Sequence, residues 1–257
     1  LTQGEGATLD GNGGRIQLNS STLNLGAGDF HTAAVALGVS TSTINGPGHL
    51  VNDGALELAH STVNAALDNR GSLLARGNVS INGALSTAAG SEIVVRGDQF
   101  VGGSSLTVAN GFTNAGRIEL TSAWSGYGEA LNVSSGVLLN DTTGRIESTV
   151  GTGGGRTLNA QLDNRGTLAV TQALFVNNTN RSFRNSGTIR VASGGSLMVS
   201  NGRFSSLGTD GVLTEGTYDL AGTLQANLSN VSSLAAAVTL DGAGAALLNP
   251  SGSNALA

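Results

Sequence analysis

Side chains in a strand alternate between two faces, so residues two apart share a face. Along most of this chain, apolar residues fall at every second position in runs too short for a helix, and the runs break at a recurring Asn-x-Gly. The phrase apolar-x-Asn-x-Gly-x-apolar occurs at LVNDGAL (50 to 56), LDNRGSL (67 to 73), FTNAGRI (112 to 118), LLNDTTGRI (138 to 146, longer by two), LDNRGTL (162 to 168) and FRNSGTI (183 to 189). Its glycines are separated by 17, 45, 28, 22 and 21 residues. If the gap of 45 hides a degenerate copy at SINGAL (80 to 85), the mean period is about 22 residues, which is the period of a solenoid.

In every copy the first apolar residue, the Asn, the Gly and the next apolar residue have one parity. The same parity continues through Leu58, Ala75, Leu120, Ser148, Val170 and Val191. The other parity is mixed and polar: Ala55, Ser72, Arg117, Arg145, Thr167 and Thr188, then Glu57, Leu74, Glu119, Glu147, Ala169 and Arg190. One parity is therefore a core and the other a surface, with Asp68, Arg70, Asp163 and Arg165 outward and Val51 and Asp53 in the matching places of the first copy.

This spacing predicts an all-β parallel β-helix of roughly eleven to twelve coils. Asn52, Asn69, Asn114, Asn140, Asn164 and Asn185 are expected to stack as an inward ladder that satisfies buried amides. Gly54, Gly71, Gly116, Gly144, Gly166 and Gly187 are expected to turn the corner, where a positive φ would exclude a Cβ. A β-sandwich also shows short alternating strands, but it would not repeat one turn with one inward Asn. Residues 1–257 read as a single solenoid segment. Within it, 226–257 lose the Asn-x-Gly turn and read as degenerate or terminal coils.

Composition sharpens this picture. Forty of 257 residues are Gly, Lys and Cys are absent, and charged residues are 11% of the chain, which disfavours helices and excludes disulfides and thiolate metal sites. The net charge is −5 with all twelve basic residues Arg and unclustered, so no basic face exists for nucleic acid. No apolar stretch is long enough to span a bilayer as a helix. The sequence does not begin with Met and starts inside patterned sequence, so it reads as a piece of a longer polypeptide.

Candidate chemistry is sparse. No nucleotide-binding or hydrolase motif is present, and His31, His49 and His60 lack metal-ligand spacing, so no metal or cofactor is expected. GAGD (26 to 29) and GNGG (11 to 14) lack the repeated Asp of calcium-binding repeats. Thr41-Ser42-Thr43 is too short for an ice-binding file, and a sequon such as Asn132-Val133-Ser134 is ordinary in an Asn- and Ser-rich chain.

If GRIEL (116 to 120) and GRIES (144 to 148) stack, Glu119 and Glu147 become neighbouring carboxylates that can raise one another's pKa, the arrangement of an acid/base pair. The bland alternative is a solvated surface relieved by Arg117 and Arg145. Arg96-Gly97-Asp98 is a candidate binding tripeptide; integrin-type recognition requires it on an exposed loop.

The phrases LDNRGSLLARG (67 to 77), LDNRGTLAV (162 to 170), FRNSGTIRVASGGSLMVS (183 to 200) and GTYDLAGTLQ (216 to 225) resemble the repetitive passenger regions of bacterial autotransporters and large filamentous surface adhesins. The resemblance covers most of residues 45 to 225 and is one of repeat style. It implies a right-handed β-helical stalk, export to the cell surface or medium, and a structural and adhesive role with no enzymatic activity. Expected partners are a host-cell or surface ligand, protein or glycan, and flanking coils or self-association covering the open ends. The alternatives are a carbohydrate-active β-helix enzyme, a polysaccharide lyase or glycoside hydrolase using Glu119 and Glu147, and a phage or secreted fibre subunit.

Overall fold

The computed structural model describes residues 2–3, 14–33, 35–124, 126–177, 179, 181–229 and 231–256. Among these there is no helix, and all the strand pairings are parallel. The chain winds as a solenoid whose coil has three faces. Thr62–Val63 lies on face one, Ala66–Asn69 on face two and Ser72–Arg76 on face three. The next coil places Asn78–Ile81, Leu85–Thr87 and Glu92–Gly97 over them in register.

Face three is one sheet of eleven strands running from Arg15–Asn19 to Ala237–Leu240, which gives about eleven coils. At ~4.8 Å per step the stack is on the order of 50 Å long. Faces one and two merge where single long strands, Glu129–Asn140 and Arg156–Asn164, run round the corner between them.

Alternation dictates this packing. In Glu92–Gly97 and Arg117–Ser122 every second residue is buried, and Ile93, Val95, Ile118 and Leu120 enter one continuous apolar core. In-register stacking puts like on like: Leu56, Leu73, Ile93, Ile118, Ile146, Leu168 and Ile189 form an unbroken column. Residues 226–257 continue the winding, with Ala237–Leu240 paired to Thr217–Leu220 and Ala246–Leu248 to Thr223–Gln225. This last coil is less covered, with Leu234 44% and Leu240 46% exposed.

Three sequence expectations change. The coil inside the 45-residue gap does not place SINGAL on the turn, because Thr87 pairs with Asn69 and takes the place of the Asn. None of the six turn glycines has a positive φ. Val51, in the outward row between His31 and Asp68, is buried.

Candidate functional site

The face-two to face-three corner is built by Asn and Gly together. All six asparagines are fully buried. The Asn52 Nδ2 donates to Asn69 Oδ1 at 2.7 Å, Asn114 to Asn140 at 2.8 Å, Asn140 to Asn164 at 2.7 Å and Asn164 to Asn185 at 2.7 Å. The same amides also reach backbone carbonyls of the following strand, such as Thr167 O and Thr188 O. Thr87, with a hydroxyl in place of the amide, thins the column: Asn69 donates to Glu92 O at 2.9 Å, and the Thr87 hydroxyl reaches on to Asn114 Oδ1 at 3.4 Å.

The glycines serve approach rather than torsion. A Cβ on Gly71 would fall far inside contact distance of Gly54 O, one on Gly166 would strike Gly144 O, and one on Gly187 would strike Gly166 O. The bare Cα is what lets each turn lie directly on the one before.

The face-three to face-one corner uses a different device. In successive coils Ser20, Thr41, His60 and Gly77 hold φ of 46°, 50°, 48° and 62°. Each turns the chain in one left-handed residue, a conformation costly for a β-branched Thr. The following serines hold the corner: Ser21 N donates to Ser42 Oγ at 2.9 Å and Ser42 N to Ser61 Oγ at 3.1 Å. The His60 imidazole lies against Gly77, filling the space a Cβ would take.

A second Asn ladder stands at the neighbouring corner of faces one and two, where Asn45 donates to Asn24, Asn64 to Asn45 and Asn82 to Asn64 at 2.8–2.9 Å. Its signal was in the sequence as STLN (21 to 24), STIN (42 to 45), STVN (61 to 64) and VSIN (79 to 82).

Glu119 and Glu147 are register partners on face three, as are Arg117 and Arg145. They are not free carboxylates. Arg117 lies 2.9 Å from Glu119 and 2.5 Å from Glu147 and also contacts Glu92, while Arg145 contacts Glu147. Burial alone would push the Glu147 carboxyl up, but the Arg145 and Arg117 guanidiniums outweigh it and hold the carboxyl below the usual carboxylate range. Stacking therefore does not raise the Glu147 carboxyl. What the stacked groups produce is an ionic clamp across three coils.

Arg96-Gly97-Asp98 is not on an exposed loop. Gly97 ends a strand and is buried, and Asp98 is 9% exposed. The Asp98 carboxylate accepts from the Phe100 amide at 2.8 Å, the Val101 amide at 3.2 Å and Arg76 Nε at 2.7 Å. Burial raises the Asp98 pKa, yet those amides and Arg76 outweigh it and leave the carboxyl lowered. Asp98 thus spends its charge on the 98–102 turn and on Arg76, while Arg96 stands on the outward parity of the strand.

The histidines disperse: His31 lies 2.6 Å from Asp53 and His49 3.5 Å from Asp29. Among the described residues no three His, Asp or Glu side chains gather to hold a metal. GAGD lies at the start of face two, and residues 11–13 of GNGG lie outside the described residues.

A buried ion pair carries no repeat signal and escaped sequence reading. Arg156 Nη1 lies 2.5 Å from Glu129 Oε2, and both side chains are 0% exposed. The guanidinium also donates to the carbonyls of Leu120, Thr149, Val150 and Gly153 at 2.9–3.1 Å, tying down the 149–155 loop. Burial pushes Glu129 up to about 7 despite Arg156 and the Gly97 amide beside it.

No protein-family profile matches the chain, and no curated protein matches it. Among solved structures, it is similar to the crystal structure of the TibC-catalysed hyper-glycosylated TibA fragment, at 18% identity over 97% of each chain with a TM-score of 0.32. A likeness at that level assigns neither ancestry nor activity.

Proposed function

We propose that this chain is a structural and adhesive rod segment of a bacterial surface-exposed or secreted protein. The observation that carries this reading is the unbroken in-register stack. Two Asn ladders, a Gly column and cross-coil ion pairs fix the spacing of the coils, while the outward rows vary freely. Coils contact mainly their neighbours, so such a fold gains length by repetition. The resemblance of the repeated phrases to autotransporter passengers and filamentous adhesins points the same way.

Strand Ala237–Leu240 is paired on one side only, so an open sheet edge and the exposed Leu234 and Leu240 stand at that end of the stack. Flanking coils or a second copy of the rod cover this edge in the native protein. The enzyme alternative is the less favoured reading, because Arg117 and Arg145 pair with Glu147 and hold its carboxyl below the usual carboxylate range.

The test uses the parent polypeptide with an epitope placed in this segment. Antibody labelling of intact cells is expected, together with loss of attachment to host surfaces when the rod is deleted. Removing residues 55–71, one coil in register, is expected to keep the β-sheet circular dichroism and the surface labelling. Confinement of the epitope to the cytoplasm, or attachment unchanged after deleting the whole rod, would sink the proposal.

A further inference from the structure

We infer that the groove at the corner of faces one and two in the last third of the rod binds carboxylate-bearing oligosaccharides. This deepens the adhesive reading by naming the ligand class and its site. The groove has a volume of about 840 Å3, within the range of small-ligand sites, and its walls include Gln161, Arg181, Met198, Arg203, Gln225 and Asn227. It exists because the continuous corner strand of the preceding coils splits here. Leu174–Asn177 and Ser182–Asn185 are separate strands, and in the next coil the corner is turned by Asn201 at a φ of 60°.

Charge is the second, independent observation. The chain is acidic overall, and nine of its twelve arginines are in ion pairs. Among the described residues Arg96, Arg181 and Arg203 are not; Arg96 stands on face three, whereas Arg181 and Arg203 together line this groove, whose walls contain no acidic residue. They come from adjacent coils, with the Arg203 amide donating to Arg181 O at 3.0 Å.

Arg181 is held in place by donating to Val133 O at 2.7 Å and Ser134 O at 2.6 Å, contacts that fix the guanidinium without neutralising it. Arg203 is exposed, and its side chain makes no hydrogen bond or ion pair among the described residues. The acids on neighbouring outward positions, Asp163 and Glu215, are already engaged by Arg165 and Arg184. An acidic protein that leaves two guanidiniums without a carboxylate partner in one groove is matched by an anion supplied from outside.

The rest of the lining decides which anion. Gln161, Gln225 and Asn227 offer amide donors and acceptors suited to hydroxyl groups. Met198, 41% exposed, stacks in register on the exposed Phe175 and offers an apolar surface to the face of a sugar ring. A peptide would seek a free strand edge, but Ser196–Ser200 is paired on both sides, to Leu174–Asn177 and to Thr223–Gln225, so none is available on this floor.

The test is calorimetry and immobilised-glycan binding with the 257-residue chain. Probes are oligouronates and sialylated oligosaccharides, each beside its methyl ester, with sulfated oligosaccharides and a Glu-rich peptide as further arms. At least one free acid is expected to bind at low salt, with its methyl ester weaker by about tenfold or more. Arg203→Gln is expected to lower that affinity by a similar factor without altering the melting temperature, because the side chain is exposed and holds no ion pair among the described residues.

Arg190→Gln, which removes the same charge from face three outside the groove, is expected to leave binding unchanged. Equal binding of acid and ester, equal losses from the two variants, or retention of only sulfated sugar or peptide overturns the inference, as does binding of no acidic sugar. If surface labelling and attachment of the parent persist while no acidic sugar binds, the groove reading falls and the rod reading stands. Sugar binding by a chain that never leaves the cytoplasm gives the reverse.

Discussion

Residues of one type do different work at different corners of this coil. At the Asn-x-Gly turn the glycines lack positive φ, and their role is to admit the carbonyl of the coil below. Elsewhere glycine supplies torsion alone: Gly194 has a φ of 78° with nothing near the position of a Cβ. The two substitutions separate these costs. Gly194→Ala is expected to destabilise by ~1 kcal/mol, the cost of a left-handed side chain. Gly166→Ala must push apart two turns and is expected to cost ~3 kcal/mol or more, the scale of overpacking a tight core. Urea denaturation of both variants measures the difference, and equal losses would show that the column is not in steric contact. Asn and Gly at fixed spacing made this turn legible in the sequence. The opposite corner was hidden because Ser20, Thr41, His60 and Gly77 share a torsion and no chemistry, although the Ser-Thr-apolar-Asn phrases that follow the first three mark it.

At the scale of elements, repeated features were legible and single ones were not. The period, the buried parity and the pairing of Glu119 with Glu147 all follow from comparing copies, because in-register stacking turns sequence recurrence into adjacency. The Glu129–Arg156 pair occurs once, between two loops of unequal length, so nothing in the spacing announces it. Its energetics are distinctive. Most shifted carboxyls here, including Glu57, Asp68, Asp98 and Glu147, are lowered, so they stabilise the fold above their unfolded pKa and lose that contribution as pH falls through the folded value. Glu129 has the opposite sign. Its folded pKa, about 7, lies above the ordinary 4.5, so its contribution is fully present below about pH 4.5 and declines as pH rises through 7. Subtracting the stability of Glu129→Gln from that of the wild type isolates this term. The difference is expected to favour the wild type most at acid pH and to shrink toward pH 8, as followed by thermal melting across that range. A difference that grows with pH would mean that Arg156 keeps Glu129 ionised throughout.

For the whole molecule, the question is whether the rod unfolds as one unit or coil by coil. Each coil hydrogen-bonds to the coils above and below through backbone contacts such as Asp141 N to Asn114 O and Arg165 N to Asn140 O. The apolar core, by contrast, is continuous along the axis. The backbone pattern favours local failure and the core favours cooperativity. Asn140→Ala decides between them, because it removes the acceptor of Asn114 and the donor to Asn164 in the middle of the stack. Asn114 keeps its bond to Gly116 O, whereas the buried Asn164 Oδ1 loses its donor, a loss of ~1–3 kcal/mol. If neighbour contacts dominate, amide hydrogen exchange will accelerate in residues 112–191 while amides such as Ser72, bonded to Gly54 O, keep their protection. A uniform drop along residues 36–248 would instead show that the axial core binds all the coils into one folding unit. The local outcome is expected, because the inner ladder already lacks the amide rung between Asn69 and Thr87 and the native stack remains in register across that gap. A rod that tolerates one missing rung can confine the loss of another, and this is the property that lets such a fold be lengthened by repetition.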